Sequence, residues 1–160
     1  MIQPKDLRMG DLVIVSETGC MIPKGVVCKV TAIDSESLLF QDRIGSVKLI
    51  PIDPKCKQIT WSVWCKNIAP SPLTREILTL NGWSLVKRRI DEANFEWHVY
   101  SHEDNCVNIQ YYPQSDSFSA FFIDNELCEI KYVHELQHIL WVLKENADLK
   151  VPTIPSTPKL

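Results

Sequence analysis

The sequence predicts an α+β protein: a small N-terminal SH3-like β-barrel followed by an antiparallel β-meander flanked by two helices. Three observations predict it. Up to about residue 69 the chain breaks into short β-branched runs separated by turn residues. Beyond residue 82 several segments alternate apolar and polar positions with the period of a strand. Two further segments carry helix signals, one before this strand-rich stretch and one after it. The 160 residues, 45% hydrophobic and 23% charged, suffice for one compact domain or two small ones.

In the first part Asp11–Val15 reads as a strand, and Gly10 before it permits a tight turn. Asp6-Leu7-Arg8-Met9-Gly10-Asp11-Leu12-Val13 fits the start of an SH3-like barrel. Glu17-Thr18-Gly19 is a turn, and Gly25–Ile33, rich in Val, is the strongest strand of this half. Asp34-Ser35-Glu36-Ser37 is another turn. Leu38–Gln41 and Ser46–Ile50 follow as strands, then Trp61–Cys65, where alternation sets Trp61, Val63 and Cys65 on one face. Pro70-Ser71-Pro72 is a stiff linker, so the expected division is a barrel-like part over 1–69 and an α+β part over 70–150.

In the second part Ser71 and Thr74 are candidate N-caps for a helix over Arg75–Leu80, which Asn81-Gly82 ends. Strands follow at Trp83–Ile90, Phe95–Ser101, Cys106–Tyr112, Ser117–Ile123 and Leu127–Ile130. In the second of these Phe95, Trp97 and Val99 form the apolar face. Tyr111 and Tyr112, leading into Pro113, are expected at a sheet edge. A final helix runs from about Tyr132 to Glu145. At about 100° per residue, Val133, Leu136, Ile139, Leu140 and Leu143 form its apolar arc, with His134 and His138 opposite. Residues 151–160, rich in Pro, are expected to be a disordered tail.

Composition excludes several classes. No apolar run is long enough for a membrane-spanning helix, and the N-terminus lacks the pattern of a signal peptide. A cytoplasmic protein is expected. The formal net charge of -3 argues against non-specific nucleic-acid binding. The charge is uneven, with nine Lys and Arg against seven Asp and Glu in residues 1–69, and eight against thirteen in 70–160. None of the six cysteines, Cys20, Cys28, Cys56, Cys65, Cys106 and Cys128, forms a CxxC pair, and reduced thiols are expected. No P-loop or GxGxxG is present.

The segment with most chemical content is His134-Glu135-Leu136-Gln137-His138. It spells HExxH, in which two imidazoles one helical turn apart hold zinc and the Glu is a general base. A working site needs a third ligand. Only 22 residues follow His138, and Glu145 stands two turns beyond it, so His98 or His102 from the strands would have to serve. Weaker binding candidates are Lys87-Arg88-Arg89, an anion site at a strand, and the tryptophans Trp61 and Trp64, which could stack on bases.

Three short segments, in order, carry a resemblance. Asp6-Leu7-Arg8-Met9-Gly10-Asp11 resembles an opening DLRIGN motif. Pro70-Ser71-Pro72-Leu73-Thr74-Arg75-Glu76-Ile77-Leu78, with Asn81-Gly82-Trp83, resembles PIPLTPEIL…NGF. Ile130-Lys131-Tyr132-Val133-His134-Glu135-Leu136-Gln137-His138 resembles a closing I-x-Y-V-H-x-L-Q-N segment. The family that carries them is a group of small uncharacterised proteins of Bacteroidetes genomes, their phages and mobile elements. The resemblance implies no known activity. It implies that the place of Glu135 varies and that of His138 is often Asn, a pattern that would not keep a zinc site.

The expected function is therefore a non-enzymatic binding or accessory protein, phage- or mobile-element-encoded, with no cofactor. Its partner is a protein or a small anionic ligand, with interference with host defence as a subclass. One alternative is a zinc hydrolase using His134, His138 and Glu135. Another is a nucleic-acid-binding module built on the first part with Trp61 and Trp64. Assembly as a homo-oligomer is left open.

Overall fold

The computed structural model describes residues 2–17, 22–34 and 45–152. The expected strand Leu38–Gln41, most of the turns at 17–19 and 34–37, and residues 153–160 of the expected tail lie outside them. The fold is α+β, mostly antiparallel β, with two five-stranded sheets and two helices. The chain forms two compact units that part between Ser71 and Pro72; Pro72–Val151 is the second. Each sheet is drawn from one unit. No helix among the described residues is long and apolar enough to cross a membrane.

The first unit contains β1 (Leu12–Val15), β2 (Val27–Asp34), β3 (Ser46–Pro51), β4 (Trp61–Trp64) and β5 (Ile68–Pro70). They lie in the order β4-β3-β2-β1-β5, all neighbours antiparallel. Strands β4 and β5 are the sheet edges, and no pairing joins them among the described residues. Gly10 takes a left-handed φ of 100° before β1, and its N–H donates to the Val30 carbonyl at 2.8 Å. A side chain there would be strained. Alternation then sends Val13, Val15, Cys28, Val30, Val47 and Leu49 into one core. Strand β4 stops one residue before Cys65, which opens a 3-10 turn, Cys65–Asn67, into β5.

That core sets the chemistry of its thiols. Burial first, then the nearby Cys56, pushes the Cys28 pKa up to about 12, and burial pushes Cys65 up to about 11. The thiolate is the reactive form, so at about pH 8 roughly one Cys28 in ten thousand is ionised. Iodoacetamide on the native protein is therefore expected to label exposed Cys106 and Cys128 and to spare Cys28 and Cys65 until denaturant is added. Hydrogen bonding to the Glu145 carboxylate, then its charge, raises the Cys106 pKa. Glu145→Gln removes that charge and should speed Cys106 labelling. Peptide mass spectrometry at timed quenches reads both outcomes.

The second unit begins with α1 (Arg75–Leu80). Thr74, not Ser71, is its N-cap, accepting from the Ile77 N–H at 3.3 Å. Asn81 closes the helix and its amide donates to the Ile77 and Lys150 carbonyls, each at 2.7 Å. Then come β6 (Ser84–Ile90), β7 (Glu96–Ser101), β8 (Val107–Tyr112), β9 (Ser117–Phe122) and β10 (Asn125–Ile130), paired as a simple meander. The last element is α2 (Val133–Val142).

Four details differ from the sequence expectations. Tyr111 and Tyr112 lie on the middle strand of the sheet, not at its edge. The buried face of β7 is His98 and Tyr100, while Trp97 and Val99 are half-buried. Polarity misleads here because His98 Nε2 donates to Glu96 Oε1 at 2.6 Å and so enters the core satisfied. Helix α2 ends before Glu145, where Lys144 takes φ 60° and the Glu145 N–H returns to the Leu140 carbonyl at 2.8 Å, a Schellman closure. Val151, placed in the expected tail, is buried.

The second core combines Val107, Ile109, Phe118 and Ala120 of the sheet with Leu78 and Trp83 near α1 and Val133, Leu136 and Leu140 of α2. Trp83 also donates its indole N–H to the Val107 carbonyl at 3.4 Å. Strand β6 is exposed at all seven positions, so its inner row stays open to solvent.

Candidate functional site

The residues of the HExxH segment are divided among three tasks. Glu135 is the third residue of α2, and its Oε2 accepts the backbone N–H of Lys131 at 2.7 Å and of Tyr132 at 3.0 Å. This is half of a capping box: the carboxylate satisfies donors that the helix start leaves open. His134 is buried, contrary to its expected place on the outer face of the helix. The buried arc is Val133, His134, Leu136, Gln137 and Leu140. Relative to the expected arc, the helix is turned toward Gln137 and away from Ile139 and Leu143, which are half-buried. Gln137 earns its buried place by donating its amide to the Ala147 carbonyl at 3.0 Å. The His134 ring stacks on Tyr132 with centroids 5.8 Å apart and meets half-buried His138 edge-on at 5.7 Å.

The strand histidines have their own settings. His98 sits between Glu96 and Tyr111, whose ring is 5.8 Å away. His102 Nδ1 accepts from the Asp104 N–H at 3.0 Å, which leaves its proton on Nε2. Its ring meets the edge of Trp83 at 4.9 Å and lies so close to Gly82 that a Cβ there would meet Nε2 at 2.7 Å. Among the described residues no group of three or more His, Cys, Asp or Glu is arranged to hold a metal ion.

Trp61 packs against the first core and Trp64 is half-buried on β4. Lys87, Arg88 and Arg89 are exposed on edge strand β6, but alternation separates them. Lys87 pairs with Val99 and Arg89 with Trp97 on the outer face of the sheet. Arg88 pairs with His98, which pairs with Tyr111, so it belongs to the inner row.

Tyr100 of that inner row also lines an opening in the second unit. Arg75, Glu76, Thr79 and Leu80 of α1, with Tyr100 of β7, line a groove of about 570 Å³. The Arg75 guanidinium lies over the Tyr111 ring, 5.1 Å from its centroid. Tyr111 donates its hydroxyl to Asp116 Oδ1 at 2.9 Å. Burial first, then this bond, raises its pKa, so the phenol stays a neutral platform. Leu85 pairs with Tyr100 on the neighbouring edge strand. Strand register thus puts Arg88 on the same face of the sheet as Tyr100 and Tyr111, over which Arg75 lies, and leaves Lys87 and Arg89 on the other face. Arg75, Tyr100 and Tyr111 carry no motif that marks them as site residues. The Thr74 cap fixes where α1 starts, but the face of β7 that turns inward is set by the His98–Glu96 bond.

Protein-family models, curated proteins and solved structures were each compared with this chain, and none matches it.

Proposed function

We propose that this chain is a non-enzymatic binding or accessory protein, encoded by a phage or mobile element, that takes an anionic ligand or partner through its second unit. The observation that carries this reading is the engagement of Glu135. Its carboxylate is committed to the start of α2, whereas a zinc hydrolase needs that group facing the metal-bound water as a base. The burial of His134 against Tyr132 supports the same view: both residues serve the packing of the helix. Interference with host defence is the role the mobile-element resemblance suggests.

For the first unit we propose the SH3-like barrel, with β4 and β5 brought round toward one another. The strand order β4-β3-β2-β1-β5 and the 3-10 turn leading into β5 support it. Its tryptophans support packing more than base stacking, because Trp61 leans on the core.

Zinc content tests the main reading. Protein purified in metal-free buffer and then titrated with zinc is expected to hold far below one zinc per chain by elemental analysis. The His138→Ala variant is expected to keep the circular dichroism spectrum of the parent. One tightly held zinc, lost in His138→Ala together with hydrolysis of a peptide or ester substrate, would replace this reading with the hydrolase.

A further inference from the structure

We propose that the groove between α1 and the inner row of β6 and β7 binds a small amphipathic anion, its charged head on Arg75 and Arg88 and its apolar body on Tyr100, Leu80 and Leu85. This deepens the binding-protein reading and rests on it.

Size comes first. A volume of about 570 Å³ falls within the range of small-molecule sites, roughly 300–1,000 Å³. The head group follows from the two arginines. A guanidinium offers a planar fork of donors suited to carboxylate, sulfonate or phosphate oxygens. Arg75 is exposed, yet its guanidinium is held over Tyr111, so part of its ordering cost is met before a ligand arrives. Arg88 shares the inner row with Tyr111, its backbone two strands away across His98, about 10 Å at the strand spacing. Among the described residues neither arginine makes an ion pair with a carboxylate.

The apolar body follows from the floor and wall. Tyr100 presents a buried ring at the base. Leu80, which lines the groove, is 48% exposed, and Leu85, paired with Tyr100 on the edge strand, is 39% exposed, so apolar surface in the groove and beside it faces water. A ligand with a hydrocarbon or aryl part covers it, and a bare inorganic anion does not. Glu76 selects further. It also lines the groove, and its carboxyl is held below the usual range by its own backbone N–H, then by the Thr74 hydroxyl, with a smaller pull from the Arg75 charge. It lowers the net positive charge there and disfavours a polyanion such as a nucleic acid.

The test uses the full chain and the aryl sulfonate 8-anilinonaphthalene-1-sulfonate, followed by fluorescence at low salt. Saturable binding with one site per chain is expected, displaced by sodium octanoate and not by equimolar sodium phosphate. Arg75→Gln should weaken it about tenfold and Arg88→Gln severalfold, the loss expected for one charge-assisted contact each. Arg89→Gln removes the same charge from the same strand on its opposite face and should change the affinity less than about twofold. Arg75→Lys keeps the charge but loses the planar stack, and should fall between the parent and Arg75→Gln. Circular dichroism of each variant checks the fold.

Absence of saturable binding would overturn the proposal. Equal losses in Arg89→Gln and Arg75→Gln would overturn it too, because surface charge alone would then account for the signal. Displacement by phosphate as effective as by octanoate would overturn the apolar part. Failure of the groove with no zinc in the protein leaves the binding-protein reading standing. Retained zinc with hydrolysis removes that reading whatever the dye does.

Discussion

Replacing Leu140 by Ala is expected to lower the free energy of unfolding by about 2–5 kcal/mol. Leu140 is 0% exposed, and so are Val133 and Leu136, which precede it on the same stripe of α2. Truncation removes apolar area from a packed site and leaves a cavity that the sheet, held by its ladders, closes only in part. Single domains are stable by roughly 5–15 kcal/mol, so this one change takes a large fraction. Two neighbours calibrate it. Leu143, half-buried, should cost under about 2 kcal/mol, and Trp141, 64% exposed, should stay within about 0.5 kcal/mol. Urea unfolding of each variant, followed by far-ultraviolet circular dichroism, gives the three values. A larger loss at Leu143 than at Leu140 would mean that the face assigned to this helix is wrong.

The same helix shows which parts of the fold are legible in the sequence. Local chemistry reads well. Arg75–Leu80 has the predicted bounds because Thr74 offers a cap oxygen and Asn81-Gly82 a left-handed exit. Strands β1 to β3 match their β-branched runs to within two residues. Orientation reads less well wherever a polar residue is satisfied by a neighbour. His98 goes inward on β7 because Glu96 accepts its ring N–H, and Gln137 goes inward on α2 because Ala147 offers a carbonyl. Hydropathy counts both as surface, and so exchanges the faces of β7 and, on α2, keeps Val133, Leu136 and Leu140 inside but misses His134 and Gln137 beside them. The site suffers most from this. Lys87-Arg88-Arg89 is visible as a charge cluster, but which member faces a groove depends on the inward face of β7. Arg75 joins the site only through the meeting of α1 with Tyr111, a contact between residues 36 positions apart.

Glu135 gives the second large effect and separates a structural carboxylate from a catalytic one. Glu135→Ala is expected to cost about 1–2 kcal/mol of stability, the usual loss of a helix cap. Two backbone donors, those of Lys131 and Tyr132, lose their acceptor at once, and the Tyr132 N–H lies in a part-buried setting where water replaces it poorly. Glu135→Gln keeps an amide oxygen at the same reach and should restore at least half of that loss. The second substitution carries the functional content. A general base must accept a proton, which an amide cannot, so an enzyme would lose its turnover in Glu135→Gln while its stability barely moved. A cap needs only an acceptor, so stability should follow Glu > Gln > Ala with binding at the α1 groove unchanged throughout. Unfolding midpoints of the three proteins, read beside dye affinity, decide between the roles. If Ala and Gln prove equally stable to the parent, the hydrogen bonds seen at the start of α2 contribute nothing, and the segment must be explained by something other than the helix it begins.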